Sequence, residues 1–288
     1  MVRPELIDTP DAMRAWSEDQ RLAGKRVGLV PTMGALHEGH LALVDAARAH
    51  SDVVVVSVFV NPLQFNARAD FDRYPRRIDD DLDACATAGV DAVYAPHAAA
   101  MYPNGFQTHV EPGPLADRLE GEHRPGHFRG VTTVVMKLFA AVRPHVAVFG
   151  QKDAQQLAII RRMTLDLDLG IDIVGLATVR EPDGLAMSSR NRRLDPASRT
   201  AAVCVSQALG ASEALVHDGV SDVEELLAAA TSVVEAEPLA LLEHVAVVQP
   251  DTLELLDVIT DEALVLIAVW FGDVRLIDNL LVRRRSAD

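Results

Sequence analysis

Two histidines stand close together in the segment PTMGALHEGHLALV, residues 31–44. His37 and His40 follow the short apolar run Val27–Val30, and an amphipathic stretch begins directly after them. This order is typical of a strand that ends, a loop, and a helix that begins. The first turn of a helix presents backbone N–H groups and the positive end of the helix dipole. The pattern therefore predicts a phosphate-binding site at the start of this helix.

The residue types around the histidines fit the same chemistry. Gly34 and Gly39 allow the backbone to approach a ligand closely or to adopt positive φ. Because the dipole disfavours an imidazolium in the first turn, we interpret His40 as a neutral imidazole that donates to a phosphate oxygen. His37 could reach the same phosphate from the preceding loop.

Three other interpretations of the histidine pair stay open at this point. A metal site is one, although the HEGH spacing differs from the HExxH pattern and no third ligand is marked. Incidental histidines in a loop are the second. A different phosphate loop is the third, but neither GxxxxGK[ST] nor GxGxxG occurs in this segment.

Further polar clusters follow the other apolar runs. In an open parallel sheet, ligands bind beyond the carboxyl ends of the strands. Clusters at several strand ends would therefore share one edge of the sheet, which favours a binding site over solvated loops. The candidates are Asn61 and Gln64 after residues 53–60, then Gly150, Lys152, Asp153 and Gln156 after residues 146–149, and Ser188, Ser189 and Arg190 after residues 171–179.

Each of these clusters also has a purely structural explanation. Asp153 would suit a helix N-cap, and the serine pair would suit an ordinary turn. Lys152 could instead bind phosphate, and the hydroxyls and guanidinium of residues 188–190 could stabilise charge on a transferring phosphoryl group. Asp80 and Asp81 could hold Mg²⁺ or form an acidic helix start, and we favour the helix start.

The apolar runs and the helical segments alternate over the first part of the chain, which predicts a doubly wound, Rossmann-like α/β domain with a parallel sheet over residues 1–178. A smaller α+β domain is predicted over residues 179–288. The predicted strands are 27–30, 53–60, 90–95, 146–149, 171–179, 244–248, 253–258, 264–271 and 274–278, with a hairpin at Gly272-Asp273. The predicted helices are 39–50, 77–88, 131–142, 153–168, 196–217 and 221–236.

Composition excludes several classes of function. The chain has 288 residues and a formal net charge of −15, from 42 acidic and 27 basic residues. That balance argues against a nucleic-acid partner, which normally requires a basic patch. No apolar run is long enough to cross a membrane, and residues 1–20 lack the apolar core of a secretory signal. We therefore expect a cytoplasmic protein.

The motifs together resemble a known family. HEGH is similar to the HxGH signature of a nucleotidyltransferase superfamily that includes class I aminoacyl-tRNA synthetases, and MSSRN is similar to its second ATP-binding signature. Within that superfamily, the chain resembles the pantoate–β-alanine ligase (pantothenate synthetase) family. The matching segments are PTMGALHEGH, FVNPLQF, YPR, MYP, HFRGV, GQKDAQQ and REPDGLAMSSRN, in order from residue 31 to about residue 194.

The resemblance implies a two-step reaction with ATP and Mg²⁺. The carboxylate of pantoate attacks the α-phosphate of Mg-ATP to give pantoyl adenylate and pyrophosphate. The amine of β-alanine then attacks the acyl carbonyl to give pantothenate and AMP. The resemblance also implies a homodimer. It further implies that residues 1–178 bind nucleotide and pantoate and that residues 179–288 act as a lid.

The resemblance assigns roles to residues that match the family's motifs. His37, His40, Lys152, Ser188, Ser189 and Arg190 would act in catalysis, with His40 as the proton donor. Gln64, Gln156, Asn61 and His127 would bind pantoate or lie near the substrates, and Gln64 would also face β-alanine. The ATP site would comprise Met33, Gly34, Ala35, Leu36, His37, Glu38, Gly39, His40, Gly150, Gln151, Lys152, Asp153, Val179, Met187, Ser188, Ser189 and Arg190.

The chain departs from the family at three positions. Gln151 stands where Glu is more common, Ala154 where an aromatic is more common, and Arg193 where Tyr is common. These departures affect the nucleotide pocket and not the groups assigned to chemistry. Two rival functions remain: another HxGH nucleotidyltransferase, and a nucleotide sensor without catalysis.

Overall fold

The computed structural model describes residues 3–66 and 68–284, without the side chains of residues 69 and 70. The chain divides into two compact units. The first unit comprises residues 1–151 and 155–177, and the second comprises residues 152–154 and 178–288. The roles assigned to the domains 1–178 and 179–288, including that of a lid, stay predictions.

The first unit contains a six-stranded parallel sheet. Its spatial order is β1-β4-β3-β2-β5-β6. The chain runs outward from β2 in one direction and from β5 in the other, so the strand order reverses between these two neighbours. Ligand crevices in such sheets lie beyond the carboxyl ends at this reversal. The strands are β1 (Glu5–Ile7), β2 (Val27–Thr32), β3 (Val53–Val58), β4 (Ala92–Tyr94), β5 (Val146–Gly150) and β6 (Asp172–Leu176).

Helices cover both faces of this sheet. Along β3, Val53 and Val55 pack into one apolar core, while Val54 and Val56 pack into another. The first core contains side chains of α1, α7 and α8, and the second contains side chains of α2 and α4. Burial on both faces explains the continuous apolar run in the sequence. The helices are α1 (Pro10–Leu22), α2 (Glu38–His50), α3 (Arg68–Arg73), α4 (Ile78–Thr87), α5 (Ala98–Met101), α6 (Glu120–His123), α7 (His127–Val142) and α8 (Ala154–Asp166).

The second unit is smaller and of the α+β type. Its helices are α9 (Pro196–Ala201), α10 (Cys204–His217) and α11 (Val223–Glu235). Its antiparallel sheet has the order β7-β8-β9, with β7 at Leu241–Val248, β8 at Glu262–Phe271 and β9 at Val274–Arg283. Phe271 pairs with Val274, which confirms the hairpin at Gly272-Asp273. The predicted fold class is therefore confirmed for both parts of the chain.

Several boundaries differ from the sequence prediction. The strand predicted at residues 253–258 is wrong. Leu253 adopts a left-handed φ of 54° after a turn, and only isolated bridges form at Leu255 and Val258. The helix predicted at 196–217 is interrupted between α9 and α10, and β6 ends at Leu176 instead of residue 179. The prediction also omitted β1, which has only three residues, and α1, in which only Met13 and Ser17 are fully buried.

Candidate functional site

The loop after β2 carries the two histidines, and residues 33–40 are called the histidine loop below. The backbone turns sharply here, with φ of 81° at Gly34 and 53° at Ala35. A Cβ atom at Gly34 would lie 2.7 Å from Asp81 Oδ2 and 2.9 Å from Val58 Cγ1. Both the positive φ and this close approach require glycine at position 34.

A buried carboxylate holds the histidine loop. Asp81 Oδ2 accepts a hydrogen bond from the backbone N–H of Ala35 at 3.1 Å, and Oδ1 accepts one from the N–H of Leu36 at 2.8 Å. Asp81 is only 2% exposed and lies in the first turn of α4. Asp81 therefore supplies the hydrogen-bond acceptors for two backbone N–H groups of this turn and holds the loop in place.

The neighbouring carboxylate behaves differently. The Asp80 side chain is 62% exposed and forms an ion pair with Arg77 at 2.9 Å. Asp80 and Asp81 therefore do not direct their oxygens to a common point. Their contacts support the acidic helix start, and Mg²⁺ binding by this pair stays an untested prediction.

The two histidines cap the start of α2 reciprocally. His37 Nδ1 accepts from the N–H of Gly39 at 3.2 Å, and His40 Nδ1 accepts from the N–H of His37 at 3.3 Å. The ring centroids are 4.0 Å apart. Because Nδ1 accepts in both rings, each neutral imidazole carries its proton on Nε2. Both residues are therefore arranged as Nε2–H donors at a helix N-terminus, as anion binding requires.

Asn61 and Gln64 lie on the short 3₁₀ turn Pro62–Gln64 that follows β3. Asn61 is 1% exposed and makes four hydrogen bonds. Its Nδ2 donates to Gly130 O and to Gln64 Oε1, both at 3.0 Å. Its Oδ1 accepts from the N–H of Leu63 at 3.3 Å and from Tyr102 Oη at 2.7 Å. The two amides therefore form one connected network.

His127, at the start of α7, also contacts this turn. Its Nδ1 lies 2.8 Å from the carbonyl oxygen of Gln64, and its Nε2 lies 3.2 Å from Arg124 Nη1. Arg124 Nη2 donates to the same Gln64 oxygen at 3.1 Å. The carbonyl and guanidinium partners assign an Nδ1–H tautomer, the opposite of that at His37 and His40. His127 therefore orients the main chain of Gln64, and direct contact with substrate stays a prediction.

The remaining predicted residues of the first unit lie at the carboxyl end of the sheet or on the helix after it. Gly150 ends β5, and Gln151 Nε2 donates to Gly175 O at 3.4 Å. Met33 Sδ accepts from Gln64 Nε2 at 3.2 Å, so the histidine loop and the amide pair are in contact. Gln156 lies in the first turn of α8 and is partly buried.

In the second unit, residues 178–191 are called the serine loop. Met187 N–H donates to Val179 O at 2.9 Å, and Arg180 and Ala186 form an isolated bridge, so the segment closes on itself. Ser188 caps the 3₁₀ turn Ser189–Arg193, because its Oγ accepts from the N–H of Arg190 at 3.3 Å. Val179 and residues 187–190 are thus parts of one ordered loop.

Charged side chains hold the serine loop. Arg180 Nη1 and Nη2 lie 2.6 and 3.2 Å from the two carboxylate oxygens of Asp278, which is 2% exposed as a side chain. Glu181 accepts from Asn191 Nδ2 at 2.8 Å and from Arg199 Nη2 at 2.6 Å. Arg199 also pairs with Asp183 at 2.7 Å and lowers the pKa of that carboxyl by hydrogen bonding.

The Lys152 segment also belongs to the second unit, and it is held by β9, the strand that carries Asp278. Asn279 Nδ2 donates to Lys152 O at 2.7 Å, across 127 positions of sequence. Asp278 and Asn279 were not predicted as functional residues, although two polar side chains stand side by side in the strand pattern of β9. Both are buried in the structure, and the adjacent polar pair was the signal that the sequence offered. Tyr102 and the loop-holding role of Asp81 were missed as well.

One negative finding concerns membranes. Among the residues that the structure describes, none of the helices has both the length and the apolar character needed to cross a bilayer.

Known proteins resemble the chain over nearly its whole length. The family model described as Pantoate-beta-alanine ligase matches residues 5–281. A pantothenate synthetase of Heliobacterium modesticaldum is 51% identical over 277 residues, covering 96% of this chain and 99% of its own length. These matches show that the chain belongs to the pantoate–β-alanine ligase family.

Solved structures agree with this family. A pantothenate synthetase crystal structure from Thermus thermophilus has a TM-score of 0.90 at 46% identity, covering 96% of this chain and 98% of that one. A pantoate–β-alanine ligase from Francisella tularensis, complexed with β-γ ATP and β-alanine, has a TM-score of 0.80 at 33% identity. It covers 96% of this chain and 97% of its own.

Proposed function

We propose that this protein condenses pantoate with β-alanine to form pantothenate, with ATP converted to AMP and pyrophosphate. The observation that carries the proposal is the Francisella tularensis relative, which binds a form of ATP and β-alanine and aligns with 96% of this chain. Activation of the pantoate carboxylate is chemically necessary because a free carboxylate is a poor acyl donor. The mixed anhydride of pantoyl adenylate supplies AMP as the leaving group.

The catalytic roles are assigned to two groups of residues. His37 and His40 would donate from Nε2 to phosphate oxygens of ATP, and their shared capping arrangement supports this role. Lys152, Ser188, Ser189 and Arg190 would neutralise the negative charge that develops as pyrophosphate leaves. The ordered serine loop and the bond between Asn279 and Lys152 support that assignment.

The binding roles follow the same division. Gln64 and Gln156 would bind pantoate, with Asn61 and His127 as supports, and Gln64 would also meet the incoming β-alanine. The network of Asn61, Gln64 and His127 favours this interpretation because it fixes both the side chain and the main chain of Gln64. The ATP site would comprise the histidine loop, residues 150–153, Val179 and residues 187–190.

The proposal includes Mg²⁺ bound to the phosphates of ATP. It would reduce the charge repulsion between ATP and the pantoate carboxylate. Mg²⁺ binding by Asp80 and Asp81 stays a prediction, and the partners of the two carboxylates, Arg77 for Asp80 and the N–H groups of Ala35 and Leu36 for Asp81, do not favour it. The homodimer and the cytoplasmic location implied by the family resemblance also belong to the proposal.

The decisive experiment measures AMP release with pantoate, β-alanine and Mg-ATP, omitting one component at a time. We expect AMP release only when all are present. We also expect pantoate-dependent exchange between ATP and pyrophosphate without β-alanine, since the first half-reaction does not need the amine. The proposed function would be refuted if the rate of exchange between ATP and pyrophosphate did not depend on pantoate. It would also be refuted if that rate depended instead on nicotinamide mononucleotide.

A further inference from the structure

A tyrosine hydroxyl outside the assigned site bonds to Asn61, the residue whose side chain contacts the Gln64 amide. We propose that Tyr102 is a positioning residue which acts through Asn61, so that the amide NH₂ group of Gln64 faces the substrate. The inference rests on the proposed function, because that function assigns pantoate to Gln64. The inference goes beyond that function because it gives Tyr102 a role and states that the NH₂ end of the Gln64 amide contacts the substrate.

The argument starts with Asn61, whose amide orientation is fixed by main-chain partners. The N–H of Leu63 can only donate, and it lies 3.3 Å from Oδ1 of Asn61. The carbonyl of Gly130 can only accept, and it lies 3.0 Å from Nδ2. A rotation of this amide by 180° would place Nδ2 against the N–H of Leu63, so that two donors meet. It would also place Oδ1 against the carbonyl of Gly130, so that two acceptors meet. At 1% exposure water cannot compensate such a mismatch.

The orientation of Gln64 follows from that of Asn61. The second hydrogen of Asn61 Nδ2 points to Gln64 and lies 3.0 Å from its side-chain oxygen. Since Oε1 of Gln64 accepts this bond, Nε2 must face the other way. It lies 3.2 Å from Met33 Sδ, a thioether that is only a weak acceptor. A substrate oxygen would therefore replace this contact favourably.

Tyr102 completes the arrangement from the opposite side. Its hydroxyl lies 2.7 Å from Oδ1 of Asn61, which accepts, so the hydroxyl donates. Burial raises the pKa of Tyr102, and the hydroxyl keeps its proton at neutral pH. Phe59 and Phe106 pack near the ring, with centroids 6.1 and 5.0 Å away. The aromatic contacts hold the ring so that its hydroxyl points at Asn61.

The polarity of Gln64 defines the chemistry of the ligand. An NH₂ group binds an acceptor, such as the carboxylate or hydroxyl oxygen of a small hydroxy acid. It does not bind a donor such as the ammonium group of an amine. We therefore expect Gln64 to contact pantoate through oxygen, and to meet β-alanine through its carboxylate and not its nitrogen.

The first test is Tyr102→Phe, which keeps the ring and removes the hydroxyl. We expect the KM for pantoate to rise about 3- to 10-fold, as the loss of one hydrogen bond implies. The KM for ATP should stay within about 2-fold of that of the parent protein. An unchanged pantoate KM, or an equal rise for both substrates, would contradict the positioning role.

Tyr94→Phe is the matched control for this variant. Tyr94 is fully buried, and its hydroxyl contacts Met101 Sδ at 3.7 Å and not Asn61. Removing that hydroxyl tests the general cost of a lost buried tyrosine hydroxyl. We expect both KM values of Tyr94→Phe to match those of the parent protein. A pantoate KM that rises equally in both variants would show that the Tyr102 effect is structural.

The second test probes polarity directly with Gln64→Glu beside Gln64→Ala. If Gln64 presents its NH₂ group, the glutamate places an oxygen opposite the substrate carboxylate, and binding should be weaker than in the alanine variant. Calorimetry with pantoate measures this without turnover. If Gln64→Glu binds pantoate as well as the parent, the proposed polarity is wrong. If the parent neither binds pantoate nor turns it over, the proposed function itself fails.

Discussion

The histidine loop and the serine loop are both assigned to ATP phosphates, yet the protein holds them by different means. In the histidine loop, two main-chain N–H groups donate hydrogen bonds to the buried carboxylate of Asp81. The turn also requires glycine at position 34, where a Cβ atom would clash. The serine loop is held by ion pairs of Arg180 and Arg199, whose side chains are each 28% exposed.

This difference matters for how each loop responds to its surroundings. Hydrogen bonds between a buried carboxylate and main-chain donors are little affected by salt. Ion pairs between partly exposed side chains, such as those of Arg199 with Glu181 and Asp183, are screened by salt and weakened by acid. The histidine loop is therefore expected to stay fixed over a wide range of conditions, whereas the serine loop should loosen more easily.

The largest expected effect comes from the histidine loop itself. His40→Ala removes one positioned donor and should lower kcat roughly 10²–10³-fold, or about 2.7–4 kcal/mol, while the lost cap on the N–H of His37 should cost about 0.5–2 kcal/mol of the free energy of unfolding. Steady-state kinetics and urea unfolding measure the two quantities. His50→Ala is the control, since His50 is exposed at the far end of the same helix. A parent-like kcat in His40→Ala would remove His40 from the mechanism.

The next effect tests how the histidine loop is held. Asp81→Asn replaces one acceptor oxygen by a donor and leaves one buried N–H without a partner, at a cost of about 1–3 kcal/mol. We expect a lower free energy of unfolding and a higher KM for ATP. Asp83→Asn, on the exposed side of α4, should change neither. If Asp81→Asn alters stability but not ATP binding, the carboxylate supports the fold and not the loop.

The matching change in the serine loop is Asp278→Asn. The side chain keeps its shape but loses the charge beside Arg180, which retains the carbonyls of Gly184 and Asn279. Because a hydrogen bond between charged groups becomes a weaker one, we expect a loss of about 1–3 kcal/mol of unfolding free energy, together with a higher KM for ATP. Asp273→Asn breaks the exposed pair with Arg193 and should cost less than about 1 kcal/mol. Equal effects of the two changes would show that burial of the ion pair is irrelevant.

The smallest effect is a dependence on pH. The hydrogen bond from Arg199 lowers the pKa of Asp183 from its ordinary value of 3.8. A carboxyl with a lowered folded pKa adds stability above its unfolded pKa, and the contribution is lost as pH falls through the folded value. Asp183→Asn should therefore unfold with a weaker pH dependence below about pH 4 than the parent. Parallel unfolding curves for the two proteins would show that the Arg199 pair adds nothing.

Much of the fold could be predicted from local pattern. The run of valines in β3 indicates a strand buried on both faces, and Val53 and Val54 indeed pack into different cores. Glycine at position 272 marks the hairpin between β8 and β9. The pattern failed at Leu253, because a turn with positive φ resembles an apolar strand when only residue types are considered.

The site was predictable only in part. His37 and His40 were identified because a helix start and an imidazole pair are neighbours in sequence. Tyr102, Asn279 and the loop-holding role of Asp81 were missed because the partners are distant along the chain; the Asn279 contact spans 127 positions. No local pattern indicates which distant carbonyl or N–H a side chain will meet.

The sequence by itself determined most of the elements, the family and the residue types that chemistry requires, since apolar period, capping residues and motif order are local properties of the chain. Only the tertiary structure decided which groups fix those residues. The orientation of Gln64, the tautomers of His37, His40 and His127, and the hold of Asp81 on the histidine loop depend on hydrogen-bond partners. Folding alone brings those partners within about 3.5 Å, the longest separation at which such a bond forms.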